Sequence, residues 1–307
     1  MTDNGSLIIR VPASTSNLGP GFDALGLALN LYNDFTVRRL KADSPSKLVG
    51  RGASEGVKLK DNPFFRTVDR VCALSGRVAP ALEVTVDGTV PLGVGLGSSA
   101  GACVAGALAA NTLMGSPFSY EELLGPIIDI EGHPDNASPS LLGGLTLTAQ
   151  TAEGPLVHLY QPHADWRLAV LIPDYTISTR DSRRRLPRKV SRTDAVFNLQ
   201  RLPMVIDALV NGDAEHLGCA MEDRLHQPRR RRAIKRYKKI CQAALKAGAA
   251  ATFISGSGPA LAAVCRGEKT AQLVADAMKQ AVRKAPFKAG TLVLQPVIEG
   301  ARIAEPD

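Results

Sequence analysis

Apolar residues fall at every second position in "NDFTVRRL" (33–40) and "LEVTVDG" (82–88), and this alternation predicts two strands. "SLIIRVPAS" (6–14) predicts a first strand whose Pro12 implies a sheet edge or a strand end. "NPFFRTVDRVCALSG" carries helical spacing, with Asn62 as cap and Pro63 in the first turn. A second helix should start at Ser98 or Ser99, either of which can cap it, and run to about Met114. "SYEELLGPIIDIEG" opens with a capping box: the Ser119 hydroxyl accepts from the Glu122 amide, and the Glu122 carboxylate reaches back. Pro126 should kink this helix, and Gly132 and Pro134 should end it. "GGLTLTAQ" and "VHLYQP" predict a hairpin.

The pattern then restarts. A strand at 168–172 precedes helical stretches near 193–211, 213–226 and 231–247. "ATFIS", a glycine turn, "ALAAVC", a helix near 268–284 and "GTLVLQPV" follow. Strands and helices mix without strict alternation, so the class is α+β rather than a doubly wound sheet. The restart puts a domain boundary near residue 162, dividing the chain into 1–162 and 163–307.

Composition narrows the class. The 307 residues are 45% hydrophobic and 21% charged, which is ordinary for a globular protein. No apolar run is long enough to span a bilayer, and "MTDNGSLIIRVP" lacks the pattern of a secretory signal. Five widely spaced cysteines without a CxxC pair argue against a disulfide framework or a zinc site, and for a reducing, cytoplasmic location. The net charge of +8 is concentrated in "RDSRRRLPRK" (180–189) and "RRRRAIKRYKK" (229–239). Such runs are usually solvated faces. They also attract polyanions, and single arginines within them can grip an anionic ligand.

"PLGVGLGSSAG" (91–101) is the segment with the most specific chemistry. A helix N-terminus leaves amides without partners, and a glycine-rich turn before it lets them converge on phosphate oxygens. The stretch has no lysine, so it is not a GxxxxGK[ST] loop. "GVGLGS" ends in Ser98, and no strand-borne acid follows about twenty residues on, so it is not a dinucleotide fingerprint either. A close-packed turn ahead of a small-residue helix would use the same glycines.

Two further segments bear on that choice: "VPASTSNLGPGFDALGLAL" (11–29) and "FISGSGPALAAV" (253–264). In this order the three resemble the motifs of the GHMP small-molecule kinases. Together with "EGHPDNASPSLLGG" they resemble the homoserine kinase branch. The resemblance implies a two-domain α+β fold. Its N-terminal domain would be similar to a ribosomal-protein domain with a left-handed βαβ unit, and its C-terminal domain would be ferredoxin-like. It implies ATP as co-substrate, Mg²⁺ as cofactor, and phosphorylation of the L-homoserine side-chain hydroxyl on the route to threonine. Pro91, Leu92, Gly93, Val94, Gly95, Leu96, Gly97, Ser98, Ser99, Ala100 and Gly101 would wrap the triphosphate. Ser98 and Glu131 would hold the metal, and Mg²⁺ does take one or two carboxylates beside phosphates.

The same resemblance distributes the acceptor site. Homoserine is a zwitterion, whose ammonium needs a carboxylate and whose carboxylate suits guanidinium. Asn17 and Asp23 match positions near the amino acid, with Asp23 as ammonium anchor. Thr179, Arg183 and Arg230 match further positions, the two arginines as carboxylate grip. The chain departs from the family pattern after "HQP", which leaves the binding arginine open among Arg229, Arg230, Arg231 and Arg232. His133, Asp135 and Asn136 would line the reacting hydroxyl, the identity of the proton acceptor staying open. Asp135 could equally cap a turn. Gly256 and Gly258 would let a turn approach the substrates. No nucleic-acid or membrane partner is expected, and a homodimer remains open. Two other readings compete: a related kinase for a different alcohol such as mevalonate, and a nucleic-acid-binding protein.

Overall fold

A computed structural model describes residues 5–50 and 58–304, so the first four residues of the N-terminal stretch read above lie outside it. The first half contains β1 (Ser6–Ser16), β2 (Leu25–Arg39), β3 (Lys47–Gly50), α1 (Pro63–Leu74), β4 (Leu82–Gly88), α2 (Ser98–Leu113), α3 (Tyr120–Glu131), α4 (Pro134–Leu142), β5 (Leu145–Thr151) and β6 (Gly154–Tyr160). The second half contains β7 (Trp166–Pro173), α5 (Thr179–Arg184), α6 (Arg192–Asn211), α7 (Ala214–Ala220), α8 (Gln227–Arg230), α9 (Tyr237–Lys246), β8 (Ala251–Ile254), β9 (Leu261–Arg266), α10 (Glu268–Ala281), β10 (Ala289–Leu294) and β11 (Arg302–Ala304).

Among the described residues the first sheet runs β11-β1-β2-β4-β3, with the β5–β6 hairpin branching from β2. β3, α1 and β4 form a βαβ unit, since β3 and β4 pair in parallel. The second sheet runs β10-β7-β9-β8 with every pair antiparallel, which is the split-βαβ arrangement of a ferredoxin-like domain. The boundary expected near residue 162 falls between β6 and β7, and β11 crosses back to pair with β1.

Period-2 alternation explains how the second sheet serves two cores. Leu168 and Val170 of β7 face one core, and Ala169 and Leu171 face the other. The first of these cores also contains Leu25, Leu27 and Leu29 of β2, and Val94 and Leu96 of the glycine segment. The two halves are thus welded by shared apolar burial.

Several expectations need correction. β1 does not end at Pro12; the strand runs to Ser16, and the register shifts between Pro12 and Ala13, a bulge that accommodates the missing amide. Neither Ser98 nor Ser99 caps α2, because Gly97 in the left-handed region takes that position without a side-chain bond. The stretch 231–247 is not one helix. Arg236, at φ 61°, breaks it before Tyr237 and lets Ile234 and Ile240 enter the same core. The stretch 213–226 is helical only to Ala220. α4 was not legible, since its "PDNASPSLL" is poor in helix formers; burial of nearly every side chain outweighs propensity there. Asp135 lies in its first turn rather than in a free turn. α5, capped by the Ser178 hydroxyl, was also missed.

Candidate active site

The β1–β2 connection holds the first site residues in an unusual backbone conformation. Asn17 (φ 71°), Leu18 (φ 41°) and Asp23 (φ 58°) all occupy the left-handed region. Each costs on the order of 1 kcal/mol, and such strain concentrates at functional sites. Side-chain bonds over-determine the turn. Asn17 Oδ1 accepts from the Asp23 amide (3.1 Å), and Asn17 Nδ2 donates to the Gly256 carbonyl (3.2 Å).

The glycine segment is pinned by its carbonyls. The oxygens of Val94, Gly95 and Leu96 accept from Ala260 N (3.1 Å), Ser255 Oγ (2.5 Å) and Ser14 N (3.3 Å). In a trans peptide the following N–H points the opposite way, so the amides of Gly95, Leu96 and Gly97 turn away from the protein. Among the described residues no amide from Gly95 to Ser99 donates a hydrogen bond. Gly93, Gly95 and Gly97 all have positive φ. A Cβ at Gly95 would strike the Ser255 carbonyl, and one at Gly97 would strike Ser14 Oγ. These glycines exist because two other segments press against the loop from behind, leaving its amides for a ligand.

A cavity of about 120 Å³ opens in front of them, at the seam of the two halves. Of the residues expected from sequence, it is lined by Asn17, Asp23, Gly93, Gly95, Gly97, Ser98, Ser99, Glu131, His133, Asp135, Asn136, Thr179, Arg183, Arg230 and Gly256. Leu92 lines a neighbouring cavity. Pro91, Val94, Leu96, Ala100, Gly101 and Gly258 line neither. Val94, Leu96 and Ala100 are buried supports, Gly101 faces Val11, and Gly258 faces Ile234 and Ile254. Ser16, Ile177, Ser178 and Ser257 line the cavity without having been expected.

Glu131 ends α3 beside the glycine segment. Ser99 Oγ donates to its Oε2 at 2.7 Å, and Ser98 lines the same cavity one residue before it. Residues one turn apart share a helix face, and Cys103 Sγ, four residues after Ser99, lies 3.9 Å from the same Oε2. Burial pushes the Glu131 carboxyl above its ordinary range, although His133 and Ser99 oppose the shift. A buried carboxylate next to unpaired amides is a donor set that suits a hard cation on a polyphosphate.

His133 Nδ1 lies 2.6 Å from Asp135 Oδ1, and its Nε2 lies 3.8 Å from Glu131 Oε1. Burial pulls the imidazole down, but the bond to Asp135 and the two carboxylate charges outweigh it and leave it above the ordinary value. Burial likewise pushes Asp135 up, yet the bond and charge of His133 hold it below the carboxylate range. Asn136 is bonded to Ser14 Oγ and Ser16 Oγ on β1, and Ser16 lines the cavity beside it.

The far wall is a cluster of charge around one ring. Arg183 donates to both oxygens of Asp23, at 2.6 and 2.8 Å. Arg183 and Arg230 both sit over the Phe22 ring, at 5.6 and 5.1 Å from its centroid. Of the four arginines left open by the sequence, Arg230 is buried and lines the cavity, while Arg229, Arg231 and Arg232 are exposed. Burial and the Arg183 charge pull Arg230 down to about 10.

The neighbouring cavity, about 220 Å³, shares Gly93, Ser98 and Ser99 with the first. Its other walls are mostly apolar: Phe35, Leu48, Phe64, Val84, Val86 and Val90, with Asn33 and Asn62 as polar groups. No motif marked these residues, which the sequence presents as strand and helix positions.

The comparisons with known proteins agree with this geometry. The family model of the GHMP kinases N terminal domain matches residues 62–144, and that of GHMP kinases C terminal matches residues 205–284. A homoserine kinase of Synechococcus sp. (strain WH7803) is 44% identical over 86% of this chain and 85% of its own. One of Moorella thermoacetica is 38% identical over 96% of this chain and 98% of its own. The crystal structure of a homoserine kinase from Cytophaga hutchinsonii superposes with a TM-score of 0.89 at 26% identity, covering 99% of both chains. The chain therefore belongs to the GHMP kinases. Within them, its branch is the homoserine kinase family.

Proposed function

We propose that this protein transfers the γ-phosphoryl group of ATP to the side-chain hydroxyl of L-homoserine, giving ADP and O-phospho-L-homoserine for threonine biosynthesis in the cytoplasm. The observation that carries this reading is the Asp23–Arg183 pair beside buried Arg230, at the open end of the amide cradle. A carboxylate and two guanidiniums complement an α-amino acid zwitterion, and they exchange one another for its ammonium and carboxylate when it enters. An alcohol without an ammonium would leave Asp23 to Arg183 and gain nothing from breaking the pair.

The triphosphate would lie on the amides of Gly95 to Ser99, with the nucleoside in the apolar cavity that shares Ser98 and Ser99. Glu131, steadied by Ser99, would hold Mg²⁺, which supplies charge neutralisation between the phosphates. His133, whose pKa the bond to Asp135 and the two carboxylate charges raise, lies at the same end of the cavity. Positioning and charge neutralisation account for most of the acceleration in phosphoryl transfer, so the cavity has little covalent chemistry to perform.

The basic runs lose their independent significance once Arg183 and Arg230 are taken into the pocket. A substrate panel tests the reading. ADP formation should be fast with L-homoserine and near background with mevalonate. Fast turnover of alcohols that lack an amino group, with none of homoserine, would overturn it.

A further inference from the structure

His226 is fully buried, lines neither cavity, and stands one turn before Arg230. Its Nε2 lies 2.8 Å from the Gly19 carbonyl oxygen, which can only accept. That contact places the ring proton on Nε2 and leaves a lone pair on Nδ1. The lone pair faces Arg230 Nη1 at 3.3 Å. Asp223 Oδ2 is also 3.4 Å from Nε2. However, Asp223 is committed elsewhere, accepting from the amides of Leu225, His226 and Gln227 and from Asn198 Nδ2.

Arg230 is therefore held at one corner. Its Nη1 donates to the Gly256 carbonyl (2.9 Å) and to His226 Nδ1. Its Nε is buried and has no partner among the described residues. Anchoring Nη1 leaves Nε and Nη2, the edge of the fork that grips a carboxylate with two parallel bonds. Phe22 completes the mount: its ring stacks on His226 at 5.2 Å between centroids and lies under Arg230.

We infer that His226, as a neutral acceptor, is the positioning residue that orients Arg230 so that its unpartnered edge receives the acceptor's carboxylate. The inference rests on the homoserine reading. It assigns His226 a share of acceptor affinity and none of the chemistry.

Steady-state kinetics on variants of the full chain test it. His226→Phe keeps the stack on Phe22 and removes both polar bonds. It should raise KM for homoserine about 10-fold, with kcat and KM for ATP within about 2-fold of wild type. His226→Asn offers an oxygen near the Nδ1 position and should recover most of that loss. In an Arg230→Ala background His226→Phe should add nothing further, since the group it orients is gone. An unchanged homoserine KM in His226→Phe, or equal effects on both substrates, would overturn the inference. If Arg230→Ala itself left homoserine KM unchanged, the acceptor-site reading would fail instead. Should His226→Phe not fold, ¹⁵N NMR of the wild-type ring decides: a proton on Nε2 supports the inference, and one on Nδ1 contradicts it.

Discussion

At the scale of single residues, the site is built from groups whose solvation is poor and whose partners are few. Arg183 and Asp23 satisfy each other in the absence of ligand. Arg183→Ala should raise KM for homoserine on the order of 30-fold or more while leaving KM for ATP unchanged, as steady-state kinetics would show. Glu131 illustrates the opposite economy. Its carboxyl is raised by burial, so the folded state binds a proton more readily than the unfolded chain does. That contribution to stability is complete below the ordinary carboxyl pKa and is lost as pH rises through the folded one. The ionised form of Glu131 is thus the one that burial penalises in the fold. Glu131→Gln should raise Tm on the alkaline side of the folded carboxyl's titration, flatten the dependence of Tm on pH there, and lower kcat about 100-fold or more. Calorimetry and kinetics on the same sample would check both halves, and a lowered Tm would contradict the account.

At the scale of elements, the glycine segment works because its back is occupied. Ser255 and Ser14 hold its carbonyls, and its glycines leave no room for a Cβ at 95 or 97. Gly95→Ala should move the loop off the Ser255 carbonyl and weaken ATP binding by on the order of 10-fold, measurable by calorimetric titration, with homoserine KM less affected. This element was legible in the sequence because its signal is one contiguous run of special residues. The capping box of α3 and the alternating strands were legible for the same reason: their signals are local. α4 was not, since only tertiary burial stabilises its helix-poor composition. Nor was the role of Ser99, which depends on which side of a helix meets Glu131. Arg230 could be singled out from its neighbours only by burial. The apolar cavity was invisible because its apolar walls are single positions of β2, β3, β4 and α1 that no motif marks.

At the scale of the molecule, the site exists because two sheets share a core. Leu25 and Leu27 of the first pack with Leu168 and Val170 of the second, and the polar cavity opens at that seam. The first half supplies the amides and Glu131, and the second supplies Arg183 and Arg230. On the proposed reading such a division would put the nucleotide against the first half and the acceptor's carboxylate against the second, with Asp23 reaching the acceptor from the first. A crystal structure of the protein with a non-hydrolysable ATP analogue, Mg²⁺ and L-homoserine is the most direct measurement. The account predicts phosphate oxygens within hydrogen-bond distance of the Gly95 to Ser99 amides, the cation on Glu131, and the amino acid between Asp23 and Arg230. Phosphates bound elsewhere, with those amides left facing solvent, would contradict it.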